Sequence, residues 1–181
     1  MHQGKGVKAV ARRVLLGVLI AVAVLPGSAR AEITDAALAE AIAEVVQNYA
    51  QFTIFDDVNI SVLNRAVTLT GRVTMPNKRD DLGKRVAKID GVRSLVNDIQ
   101  VLPVSPLDAE LRVRVAQAIY GHAAFWHYTA MALPPIHIIV EHGHITLTGR
   151  VNSATERALA FALAQVSGAF DVKNELKLDN Q

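Results

Sequence analysis

The sequence predicts an α+β fold of two tandem αββαβ modules, each a three-stranded mixed sheet with two helices on one face. Three observations predict it. First, Val67-Thr68-Leu69-Thr70-Gly71-Arg72-Val73 returns almost letter for letter as Ile145-Thr146-Leu147-Thr148-Gly149-Arg150-Val151. A repeat at such a spacing marks one supersecondary unit used twice. Second, both copies alternate apolar and polar side chains, the period of a half-buried strand. Third, each copy follows a short apolar run and precedes an amphipathic stretch. That order suits a hairpin followed by a crossover helix, which returns the next strand parallel to the last.

In the first module, Thr34 is placed to cap a helix and Asp35 to occupy its first turn. Leu38, Ile42, Val45, Val46 and Tyr49 then fall on one helical face. Val58, Ile60 and Val62 alternate as a strand, and Asn64-Arg65 makes the hairpin turn. The repeated strand comes next and is expected at the sheet centre. Pro76 and Asn77 open a helix with Leu82, Val86 and Ile89 inward. Gly91 ends it, and Leu95 to Leu102 forms the third strand. Pro103-Val104-Ser105-Pro106 is a stiff connection. The modules are therefore bounded at 32–103 and 107–181, with 104–106 between them.

The second module repeats the plan. Asp108 is expected as N-cap, with Leu111, Val115, Ala118, Ile119 and His122 on the helical stripe. Ile136 to Val140 and His144 to Val151 pair around His142-Gly143. Ser153-Ala154-Thr155-Glu156 reads as a capping box, followed by a face of Leu159, Leu163 and Val166 and a stop at Gly168. Val172 to Leu178 is the last strand, with Asn174 matching Asn97. A module of about 70 residues has a marginal core, so the two are expected to pack together.

The first 31 residues read as a secretory signal peptide, cleaved after Ala31. Lys5, Lys8, Arg12 and Arg13 precede an uncharged apolar run of 12 residues, Val14 to Leu25, and Ala29-Arg30-Ala31 follows. The run is short for a membrane span, which needs roughly 20 residues. The chain has no cysteine, which rules out a disulfide framework and lipid attachment through a cysteine after the signal. Export to the bacterial periplasm is the expectation. Five of the 19 Lys+Arg and none of the 17 Asp+Glu lie in residues 1–31. The remaining chain carries 14 basic and 17 acidic side chains, a net charge of −3. It has no general attraction for nucleic acid.

The ordered pattern resembles the BON domain, a module of bacterial envelope proteins. The first copy shows Asn64, Val67, Leu69, Gly71, Gly91-Val92 and Asn97; the second shows Gly143, Ile145, Leu147, Gly149, Gly168 and Asn174. It departs from the family pattern at Arg65, in the turn glycine position, and at Ala169, in the position of Val92. The resemblance implies a periplasmic, non-enzymatic protein that supports the envelope under osmotic or other stress, and a module that binds phospholipid.

Gly71, Gly91, Gly149 and Gly168 are read as structural, at a close backbone approach and at helix ends. Lipid-binding candidates come from where the copies differ. Tyr49 to Gly71 spans 22 residues and His122 to Gly149 spans 27. The five extra residues lie in the segment 123–135, which contains the sole tryptophan. Phe125, Trp126 and Tyr128 form a candidate apolar anchor, with Arg112 and Arg114 as charge partners. The alternative is that these rings fill the second core or the seam between modules. Lys84, Arg85 and Lys88 make a second candidate surface for anionic headgroups; a solvated helix face is the plainer account of them.

His122, His127, His137, His142 and His144 all lie in the second module. Their spacing matches no zinc motif, so no metal or other cofactor is assigned and they are read as solvated. Asp56-Asp57 and Asp80-Asp81 are adjacent, so each pair diverges, and no nucleophile–base set is apparent. The expected partner is an anionic phospholipid or membrane surface. The rival is a stress-protective adaptor docking on another envelope protein through a sheet edge.

Overall fold

The computed structural model describes residues 33–179, and these form one compact unit. The expected signal peptide lies outside the described residues.

Thr34 caps α1 (Asp35–Gln47), accepting from the Ala37 amide at 3.2 Å. The hairpin β1 (Asp57–Leu63) and β2 (Ala66–Val73) follows, then α2 (Pro76–Val86) and β3 (Ser94–Val101). Sheet order is β1-β2-β3, antiparallel then parallel, with the repeated strand central. Leu38, Ile42, Leu82 and Val86 pack with Val67, Leu69, Val73 and Ile99 in one core. Both helices therefore cover the same face.

The second module comprises α3 (Pro106–Tyr120), a short 3-10 turn (Ala123–Phe125), α4 (Trp126–Thr129), β4 (Ile136–Glu141), β5 (His144–Val151), α5 (Ala154–Ala164), β6 (Asp171–Asn174) and β7 (Lys177–Leu178). Its register copies the first: Val58 faces Gly71 as Ile136 faces Gly149. The expected single last strand is two pieces, β6 and β7, both parallel to β5. The break follows Asn174. Its side chain donates to the Arg157 carbonyl at 2.9 Å and accepts from the Leu176 amide at 3.2 Å. Asn97 does the same to Arg79 and Ile99, so this residue ties the last strand to the crossover helix in both copies.

Gly71 and Gly149 sit at φ +119° and +100°, and an added Cβ would lie 2.2 Å from the Asp57 carbonyl oxygen or 1.9 Å from that of Pro135. The repeated glycine is thus a close backbone approach. Gly91 and Gly168 are also left-handed, at +100° and +93°.

Both hairpin turns are held by an acid from the first turn of the opening helix. Asp35 accepts from the Asn64 and Arg65 amides at 2.7 and 2.8 Å. Asp108 accepts from His142 and Gly143 at 2.9 and 2.8 Å. This support lets Arg65 adopt a left-handed φ of 62° where the family pattern has glycine. It also corrects the expected cap. Ser105 caps α3 with Pro106 at its start, while Asp108 is buried and faces the turn. Two further details differ from expectation. The inward face of α5 centres on Ala160 and Ala164, with Leu159, Leu163 and Val166 only partly buried. Ser153 caps α5, but Glu156 takes the Asn152 amide rather than that of Ser153.

The modules pack together as expected. Ile54 and Phe55 join the second core, and the Ile138 amide donates to the Ile54 carbonyl at 2.7 Å. His137 Nδ1 donates to the Asp56 carbonyl, and its ring lies 5.6 Å from that of Phe52. Arg72 pairs with Glu141 at 2.9 Å.

Asp56, read from sequence as one of a diverging pair, is fully buried. One carboxylate oxygen accepts from the Thr53 amide and hydroxyl at 2.9 and 2.8 Å and from Lys78 Nζ at 2.6 Å. The other accepts from the Thr74 amide and hydroxyl at 2.8 and 2.9 Å. Removing one partner of a buried pair leaves the other charge stranded at a cost of about 3–5 kcal/mol. Asp56→Ala strands Lys78, whereas Lys78→Met leaves the carboxylate four other donors. Urea denaturation should therefore show the larger loss for Asp56→Ala, near that range, and the smaller for Lys78→Met. Gly149→Ala should cost at least about 2 kcal/mol from left-handed strain and collision, measured in the same way.

Candidate functional site

The inserted segment is where the second module differs most from the first. His122 starts it, with Nδ1 accepting the Ala124 amide at 3.2 Å. The 3-10 turn and α4 then form a compact step. Phe125 and Tyr128, three residues apart, fall on one side of the turn, and Trp126 falls on another. Phe125 is fully buried and Tyr128 is 3% exposed. Their rings stack with centroids 6.2 Å apart. Trp126 is 64% exposed. The three-ring anchor is therefore corrected to one ring: Phe125 and Tyr128 belong to the core and hold Trp126 outward. Met131 is exposed in the same segment.

Tyr128 is further fixed by polar contacts. Its hydroxyl donates to Glu156 at 2.8 Å and accepts from the Asn152 amide at 3.2 Å. Glu156 stands at the repeat position of Lys78, and Asn152 at that of Thr74. Both modules thus place a polar network at the start of the crossover helix. The first uses a cation meeting Asp56; the second uses an anion meeting Tyr128. Sequence reading missed the buried lysine because Lys78 sits in a run of surface charges, Lys78-Arg79-Asp80-Asp81. The one available signal was the charge inversion between Lys78 and Glu156 at a shared position.

The proposed charge partners are also reassigned. Arg112 is buried, and its Nη2 donates to the Val140 carbonyl at 2.7 Å. Burial lowers its pKa, opposed by Asp108 and Asp56. It therefore supports the sheet rather than facing a headgroup. Arg114 binds the Ser167 carbonyl and Glu110, so its charge is already engaged. Lys84, Arg85 and Lys88 are exposed. With Val45 and Asp81 they line a groove of about 560 Å³. The Arg85 guanidinium lies 5.0 Å from the Tyr49 ring centre, and Lys84 is 3.9 Å from Asp81.

The histidines do not converge. His144 meets Asp171 at 2.8 Å, His142 is in the turn, and His122 and His127 are exposed on the inserted segment. His137 is the exception to the solvated reading, since it joins the modules.

A family model for the BON domain matches residues 34–103 and 108–180. The BON family is not an enzyme family. No curated protein matches this chain. Among solved structures, the chain is similar to CdsD, a structural protein of the Type III secretion system of Chlamydia trachomatis. The identity is 16% and the TM-score 0.30, over 77% of this chain and 62% of that one. This chain thus spans less than two thirds of that structure. The C-terminal domain of CdsD is similar at 15% identity and TM-score 0.28, over 78% and 96%. Likenesses this distant bear on neither fold nor function.

All three tyrosines have a raised pKa. Burial is the main cause at each, followed by the Asp81 hydrogen bond for Tyr49 and the Glu156 hydrogen bond for Tyr128, which is pushed up to about 12. A folded pKa above the unfolded value of about 10 contributes stability that is complete below that value and lost as pH rises through the folded pKa. Phenolate absorbance at 295 nm should therefore stay flat past pH 10. It should then rise together with loss of circular dichroism as unfolding releases the rings.

Proposed function

The chain belongs to the BON family, and from that premise we propose that it is a non-enzymatic protein of the bacterial periplasm that binds the phospholipid surface and supports envelope integrity. The observation that carries this reading is Trp126, 64% exposed on a step whose two neighbouring rings are buried. Indole rings favour the headgroup level of a bilayer. A ring already held outward loses little freedom on insertion, which strengthens binding for a given contact area.

The apolar contact alone is weak, since burying one tryptophan contributes roughly 2–3 kcal/mol. A second, charged contact is needed for stable peripheral binding. The exposed Lys84, Arg85 and Lys88 supply one suited to anionic headgroups, at about 1 kcal/mol per basic residue near a charged surface.

The test is co-sedimentation of the chain from Glu32 with anionic and zwitterionic vesicles. Selective binding to anionic vesicles is expected, with a blue shift of the single tryptophan's fluorescence. Trp126→Ala should weaken it on the order of tenfold or more. Joint replacement of Lys84, Arg85 and Lys88 by Gln should remove its salt dependence. Binding to neither vesicle type would sink the reading.

A further inference from the structure

The groove between α1 and α2 has two adjoining parts. The basic part, about 560 Å³, is lined by Val45, Asp81, Lys84, Arg85 and Lys88. A recess of about 410 Å³ shares Val45 and Arg85 with it and adds Ala41, Glu44 and Ile89. Val45 lies on the apolar stripe of α1, yet it packs in neither core and stays half-buried. Ala41 and Ile89 are half-buried beside it. The groove therefore joins an apolar strip to a basic wall. Its two parts are within the size range of small-molecule sites, roughly 300–1,000 Å³.

The second module shows that the fold does not require this basic wall. Relative to the first residues of α2 and α5, Pro76 and Ala154, the places of Asp81, Lys84 and Arg85 hold Leu159, Ala162 and Leu163. Leu159 and Leu163 pack on the second core. In the first module, Arg85 is also held in place. Its guanidinium lies over the ring of Tyr49, 5.0 Å from the centre, and Tyr49 is buried. The Tyr49 hydroxyl donates to Asp81 at 3.1 Å, and Lys84 stands 3.9 Å from the same carboxylate. Asp81 is thus engaged from two sides, whereas Arg85 and Lys88 make no ion pair among the described residues. Glu44 is exposed and pairs with neither. A guanidinium resting on an aromatic face keeps its planar fork of donors free, and that fork matches two phosphate oxygens.

We propose that this groove is a one-to-one site for a single anionic phospholipid molecule. Arg85 and Lys88 take the phosphate, and Ala41, Val45 and Ile89 take the start of one acyl chain. Charge complementarity selects the head, and the adjoining apolar strip selects a chain attached to it. Tyr49 acts as a positioning residue, since it touches Arg85 and not the lipid. The inference rests on the membrane reading for its ligand class. It goes further in making the basic residues a shaped site rather than a diffuse positive surface.

The test uses the chain from Glu32, labelled with ¹⁵N, and dihexanoyl phosphatidylglycerol held below its micelle concentration. Saturable amide shifts with one-to-one stoichiometry are expected at Ala41, Val45, Arg85 and Ile89. Arg85→Lys keeps the charge and removes the fork, and should weaken binding about tenfold. Val45→Ser should weaken it severalfold. Glycerol 3-phosphate, which has the phosphate and no chain, and zwitterionic dihexanoyl phosphatidylcholine should each bind at least about tenfold more weakly. Equal affinity for glycerol 3-phosphate would overturn the proposal by leaving an anion site only, and equal affinity for the phosphatidylcholine would overturn the phosphate contact. Absence of groove shifts while anionic vesicles still bind would overturn it and leave the membrane reading standing. Saturable groove binding without vesicle binding would support this site and sink that reading, so each can fail alone.

Discussion

A buried carboxylate with five donors holds the first module and begins the second. Asp56 lies where α1's exit loop turns into β1. Thr53 reaches it from the loop, Thr74 from the end of β2 and Lys78 from α2. Its backbone carbonyl receives His137 from the other module. A charge taken out of water is tolerated only when its lone pairs are met, and here each oxygen meets at least two donors. The geometry of the exit loop follows from that constraint. The loop in turn sets Ile54 and Phe55 against the second core. Packing of the modules is therefore a consequence of polar satisfaction inside one of them.

The second constraint is the edge strand. A small sheet with a free edge invites unwanted pairing. Three different groups meet the β4 edge: a tyrosine hydroxyl, a buried guanidinium and the Ile54 carbonyl from the neighbouring module. Among the described residues, none is repeated on β1. The repeats are alike where the fold needs them alike, at the glycine approach, the turn-holding acid and the strand asparagine. They differ where one module must meet the other.

Much of this was legible in the sequence, for physical reasons. The helix stripes, the alternating strands, the central position of β2 and the parallel return strands follow from periodicity, which local geometry imposes. Residues that bond across long distances were not legible. Asp108 was read as a cap because it stands at a helix start, yet its carboxylate serves a turn 34 residues away. Arg112 was read as a surface charge because arginine is rarely buried; the β4 edge supplies an acceptor for its Nη2, while its Nε is buried without a partner among the described residues. Lys78 misleads for the same reason. For the aromatic segment, composition could not separate insertion from packing. A single helical turn separates them, since residues three apart share a side and the residue between them does not.

That turn also explains why the insertion has the composition it does. A lone exposed tryptophan on a floppy loop would lose much conformational freedom on binding any surface. Here the two flanking rings are buried, one of them bonded to Glu156 and the Asn152 amide. The burial that stabilises the second core therefore also fixes the direction in which Trp126 points. Glu156 has diverged from its repeat partner Lys78 at the position that receives the inserted tyrosine. An anion accepts a phenol hydroxyl where an ammonium would compete as a donor. The charge inversion between the copies and the five-residue insertion are thus two parts of one change. Together they turn the second module from a plain repeat into a rigid mount for a single indole ring.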